Sequence, residues 1–125
     1  MSEQIDTLSK YGQSFQSKVV SALLTDNKFL DTISEITTSK FFENDANKWI
    51  VNEILDYHTE YRKAPTLDVF KSQLSKVENE ILKKTVVEQL KHVLTQVSNA
   101  DLEYIKNEFK DFCINQNLKG VILRS

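Results

Sequence analysis

The stretch Leu82-Lys83-Lys84-Thr85-Val86-Val87-Glu88-Gln89-Leu90-Lys91-His92-Val93-Leu94-Thr95-Gln96-Val97 decides the fold. Its apolar residues Leu82, Val86, Leu90, Val93 and Val97 recur at intervals of 4, 4, 3 and 4, the heptad-like spacing of a helix that buries one stripe. After Ser98-Asn99 a second stripe follows, Leu102, Ile105, Phe109 and Phe112, at intervals of 3, 4 and 3. Two seams joined by so short a connection require helices that run antiparallel. The spacing predicts helices over 78–97 and 100–122, each about 30 Å long at about 1.5 Å per residue. Ser98 and Asp101, three apart, approximate a capping box for the second helix. Val87 and Leu94 lie off the first seam, on its neighbouring flank. A lone hairpin cannot bury two flanks, so either the preceding part of the chain or another chain covers the second.

Working back toward the N-terminus, shorter helices are expected. Residues 1–13 are polar and read as a loosely ordered segment, although Ile5, Leu8 and Tyr11 suit one helical turn. From Ser14, Phe15, Val19, Ala22 and Leu23 share a helix face. Thr25-Asp26-Asn27 supplies capping side chains for a second helix carrying Phe29, Leu30, Ile33 and Ile36. Thr37-Thr38-Ser39 interrupts, and the aromatic pair Phe41-Phe42 follows. A third helix is predicted from Asn44 or Asp45 to about Tyr61, with Ala46, Trp49, Ile50, Ile54, Tyr57 and Tyr61 as its stripe and Arg62-Lys63 at its end. Pro65 breaks the chain, Thr66 caps, and a short fourth helix carries Leu67, Phe70 and Leu74. The fold class is therefore all-α: a globular knot of about four short helices over 14–76, then a long antiparallel helical hairpin over 77–125. Phe15, Val19, Leu23, Phe29, Ile33, Phe41, Trp49, Ile50, Ile54 and Phe70 are the expected core.

Composition agrees. The chain has 125 residues, enough for one domain that buries roughly 65–70% of its unfolded surface. Only 2 glycines and 1 proline are present, too few for the turns of a sheet-rich fold. A formal charge of −2 and a pI near 5.7 oppose a free-standing nucleic-acid binder, which carries a basic stripe. The single cysteine, Cys113, excludes an internal disulfide and suits a reducing compartment. No apolar run approaches the length of a membrane span, and Met1–Thr7 lacks the pattern of a secretory signal. A cytoplasmic protein without a membrane partner is expected.

The residues that invite chemistry are few. A phosphate-binding loop, G-x-x-x-x-G-K-[ST], needs glycines so that backbone amides reach the phosphates. Gly12 and Gly120 are the only glycines, and neither has that context. His58 and His92 are far apart, are expected as helix-surface or boundary residues, and no Cys, His and carboxylate cluster has metal-ligand spacing. Cys113 reads as a small buried hydrophobe. The carboxylate pairs Asp56/Glu60 and Glu108/Asp111 read as solvated helix faces. Arg62-Lys63 and Lys83-Lys84 read as surface charge, and the aromatics read as core rather than base-stacking groups. No catalytic, metal-binding or cofactor-binding residue is expected.

The order of these motifs from Phe15 to Leu74 resembles the N-terminal domain of DnaB-type hexameric replicative helicases, especially phage members of that family. The resemblance rests on the amphipathic helix ending Ala22-Leu23-Leu24-Thr25-Asp26, the pair Phe41-Phe42, and the helix opening Trp49-Ile50. It continues in Lys63-Ala64-Pro65-Thr66-Leu67 before a short helix, then a long hairpin. Phe112-Cys113-Ile114-Asn115-Gln116-Asn117-Leu118-Lys119 looks like the start of the family's linker. The resemblance implies a collar on one side of a helicase ring, in which hairpins of neighbouring subunits pair as a dimer or within a hexamer. It also implies docking of primase and sometimes of a loader, with DNA met only indirectly. ATP and magnesium would belong to a motor domain beyond the linker, and the location would be the host cytoplasm for a phage protein. Within that reading Val87, Leu90, Leu94, Val97, Leu102, Ile105, Phe109 and Phe112 are the candidate oligomer interface. Two alternatives stand beside it: a free-standing helical adaptor or helicase-loading factor, and a small helix-turn-helix nucleic-acid-binding protein.

Overall fold

A computed structural model of the chain describes residues 6–95 and 101–119. Six α-helices account for most of them: α1 (Gly12–Thr25), α2 (Asn27–Ile33), α3 (Asp45–Tyr61), α4 (Leu67–Leu74), α5 (Glu80–Leu94) and α6 (Leu102–Leu118). A short 3-10 turn, Leu8–Tyr11, precedes α1, two more, Ser34–Ile36 and Ser39–Phe41, lie between α2 and α3, and there is no strand among the described residues. The all-α fold expected from the hydrophobic spacing is the fold observed.

Local chemistry sets the helix ends. The side chains of Asp26, Asn44, Thr66 and Asn79 accept hydrogen bonds from the backbone N–H of Phe29, Asn47, Val69 and Leu82, at 3.1, 2.7, 3.4 and 3.0 Å. At the far end of α3 the backbone of Arg62 turns left-handed, with φ 61°, and its N–H donates to the His58 carbonyl at 2.8 Å. Arg62 thus ends the helix instead of lying in its last turn. The capping box expected before α6 falls partly outside the described residues. Asp101 makes no capping bond and instead receives the Lys18 ammonium at 3.0 Å, while Ser98 lies outside the described residues.

α1 is the centre of the fold. Phe15, Val19, Val20, Ala22 and Leu23 are buried, and so are Gln16, Ser17 and Ser21. A helix buried nearly all round must be covered on every side, and α2, α3, α5 and α6 all pack on it. α5 lies on α3 and α1; α6 lies on α1 and α2. The two seams therefore face the knot of shorter helices, which fills them. Phe112 meets the rings of Tyr11 and Phe41, with centroids 6.2 and 5.0 Å away, and Phe109 meets those of Phe29 and Phe42 at 6.3 and 6.0 Å. One continuous core spans both expected parts of the chain. The connection between α5 and α6, the expected helical ends at 97 and 122, and Val97 itself lie outside the described residues.

Two expectations need correction. The polar start of the chain is not loose from Asp6 onward: Leu8 is fully buried, and its carbonyl accepts a bond from Gln16 Nε2 at 3.3 Å. Trp49 is only partly buried, at the core's margin, with its ring 6.4 Å from that of Phe70. The other nine expected core residues are buried.

Polar pins cross this core. Gln16 Nε2 donates to Glu43 Oε1 at 2.9 Å, and its Oε1 accepts from the Glu43 N–H at 3.0 Å. Gln89 Nε2 donates to Ser17 Oγ and Asn47 Oδ1, at 3.0 and 2.9 Å, so one amide fastens α5 to both α1 and α3. Such bonds are satisfied only when the helices sit in one register, which is how a polar group in a core fixes geometry.

Candidate docking groove

α4 and α5 meet along an apolar groove of about 200 Å³. One wall is Leu67, Phe70, Lys71 and Leu74; the other is Val87, Leu90, Lys91 and Leu94. The two sets have the same spacing, i, i+3, i+4 and i+7, which puts each on a single helix face. Phe70, Leu74 and Leu90 form the buried floor. Leu67, Val87 and Leu94 form the lips and are 49%, 37% and 38% exposed. Lys71 and Lys91 hold the same position in each wall, both exposed, and no carboxylate among the described residues lines the groove. α4 is only two turns long after Pro65, and its Phe70 ring lies 6.4 Å from that of Trp49 on α3.

The structure divides the candidate interface residues sharply. Val87 and Leu94 are at the surface, on the flank singled out by the sequence. Leu102 is partly buried. Leu90, Ile105, Phe109 and Phe112 are 6%, 4%, 0% and 6% exposed within the single chain; Leu90 belongs to the groove floor, whereas the three α6 side chains are turned into the core and are not free to meet another chain. For those three that is a correction with a simple cause: Phe109 and Phe112 pack among the aromatic rings of the core, and periodicity alone does not distinguish a stripe facing the core from one facing a partner. Leu67, Lys71, Leu74 and Lys91 were not singled out as site residues. The repeated pattern Leu67-x-x-Phe70-Lys71-x-x-Leu74 and Val87-x-x-Leu90-Lys91-x-x-Leu94, twenty residues apart, is the signal that points to them.

A larger cavity, about 530 Å³, opens between the first turn and the end of α6, beside Asp6, Tyr11, Phe112, Gln116 and Lys119. Its charges answer one another. Hydrogen bonds from Lys119, at 2.9 Å, and Gln116, at 3.0 Å, hold the Asp6 carboxyl below the usual carboxylate range. A third surface strip lies on α6, where Tyr104, Ile114 and Leu118 are exposed.

The reactive side chains are set into the framework. Cys113 is fully buried beside Thr37, 3.5 Å from its hydroxyl, and burial pushes its thiol up to about 12. His58 is 2% exposed, not a surface residue, and its Nε2 lies 2.6 Å from Asp31 Oδ1. His92 is exposed. No group of three or more His, Cys, Asp or Glu placed to hold a metal ion is found among the described residues. Among them, too, no helix is long and apolar enough to cross a membrane. Comparison with known proteins yields no matching family model, no matching curated protein and no matching solved structure.

Proposed function

We propose that the chain is the N-terminal collar domain of a DnaB-type replicative DNA helicase, supporting ring oligomerisation and docking of primase or a loader. The observation that carries the reading is the open apolar groove between α4 and α5, lined on both walls by apolar side chains with no carboxylate among the described residues. Apolar surface left on one side of a small rigid domain is the feature expected of a module that works by being bound. The order of packing motifs supports the family: the Leu-Leu-Thr-Asp turn joins α1 to α2, the buried Phe41-Phe42 pair precedes α3, and Pro65 separates α3 from α4. In this reading ATP and magnesium belong to a motor domain that follows the collar. The exposed α6 strip of Tyr104, Ile114 and Leu118 is the surface left for neighbouring subunits.

The test has two parts. Reading the gene past the codon for Ser125 should give a linker and then a G-x-x-x-x-G-K-[ST] loop; a stop codon there would move the free-standing adaptor to first place. Sedimentation from micromolar to near-millimolar concentration should show self-association, and a strict monomer throughout would remove the oligomerisation role.

A further inference from the structure

We infer that the α4–α5 groove receives an amphipathic α-helix of another protein, two turns of apolar residues with carboxylates along both flanks. The inference rests on the docking half of the function proposed above and supplies the chemistry of that partner.

The shape selects a helix. Each wall presents three apolar side chains over eight residues, a length of about 10–12 Å, or two helical turns. A guest helix with apolar residues at i, i+3, i+4 and i+7 covers that length, the common mode of helix-in-groove recognition. The charge selects the flanks. A helix lying between α4 and α5 has Lys71 on one wall and Lys91 on the other. Neither lysine has an ion pair among the described residues, although the chain holds 18 acids against 16 Lys and Arg. Two free ammonium groups bracketing a carboxylate-free apolar floor complement acidic flanks and repel basic ones.

The same charges disfavour a second copy. Groove-to-groove pairing about a two-fold axis would bring four lysines together over apolar surface.

The test uses the 125-residue chain and two synthetic amphipathic peptides of about four turns. Both carry leucines at i, i+3, i+4 and i+7; one has glutamates on both flanks and the other lysines. Methyl resonances of Leu67, Val87 and Leu94 report occupancy, and the fluorescence of Trp49, beside Phe70, gives a second reading. The glutamate peptide should produce saturable shifts at those methyls, weakening as salt is added. The double variant Lys71→Glu/Lys91→Glu should bind it roughly tenfold more weakly and gain affinity for the lysine peptide. Both substitutions are at exposed positions, and an unchanged circular dichroism spectrum verifies the fold. Absence of saturable shifts, equal binding of both peptides by both proteins, or groove methyls that shift on dilution alone would each overturn the inference, the last assigning the groove to a second copy. Peptide binding by a strictly monomeric chain would keep the inference while the collar reading failed. Oligomers without peptide binding would do the reverse.

Discussion

Lys106 Nζ lies 2.7 Å from Asp26 Oδ2, joining the first turns of α6 to the turn between α1 and α2 across 80 residues of chain. Asp26 has two tasks, since its other oxygen caps α2 through the Phe29 N–H. Hydrogen bonds from Lys106 and then from Phe29 hold its carboxyl below the usual carboxylate range. A carboxyl whose folded pKa is lowered stabilises the fold above its unfolded pKa of about 3.9, and that contribution is lost as pH falls through the folded value. Replacing Asp26 with Ala should cost about 1–2 kcal/mol at neutral pH, from the cap and a partly exposed ion pair. The difference from the parent should shrink as the pH falls below about 4. Urea unfolding at pH 7 and in acid measures both; an equal loss at the two pH values would refute the assignment.

Core and groove positions on α5 and α6 should respond differently. Phe109→Ala empties a site between the rings of Phe29 and Phe42 and should destabilise by about 3–5 kcal/mol. Leu94→Asp, at the groove's lip, should cost under about 1 kcal/mol. Comparison of the two denaturation midpoints decides whether the burial assigned to each is right.

Ser21 offers a stabilising change. Its hydroxyl is fully buried in α1 and has no hydrogen-bond partner among the described residues. An unpaired buried hydroxyl carries a desolvation penalty that alanine does not, and alanine is the better helix former. Ser21→Ala should raise stability by about 1 kcal/mol. A lower midpoint would show that the hydroxyl is satisfied after all.

Cys113 should be chemically silent while the chain is folded. With its thiol pushed up to about 12 by burial, the reactive thiolate is scarce at neutral pH and the sulfur is shielded. Labelling with a thiol reagent should be slow in native buffer and fast in denaturant. Fast labelling in native buffer would mean that α6 opens readily from Thr37.

The helices were legible because their determinants are local. Asn44 and Tyr61 were placed at the ends of α3 from a capping side chain and an approaching proline, and the helix runs Asp45–Tyr61. The stripe Ile105, Phe109 and Phe112 was recognised as apolar but assigned to the wrong neighbour. A helix face has a spacing, whereas its partner depends on how α1 sits beneath it. The burial of His58 shows the same gap, since Asp31 reaches it from α2, 27 residues away. The groove was half visible. Val87 and Leu94 stood out as surplus apolar flank, but the facing wall on α4 emerges only from the placement of two short helices in space.

The central position of α1 also constrains synthesis. Its outer face, with Phe29, Phe41 and Phe42 around it, is closed by Phe109 and Phe112 of α6, which leave the ribosome long after those rings do. Contacts of such long sequence separation form late, so the nascent chain carries an uncovered aromatic surface until α6 emerges. A ribosome that stalls before Leu102 would leave a chain prone to clump, and the cell would recognise the arrested product by the same rings that later seal the core.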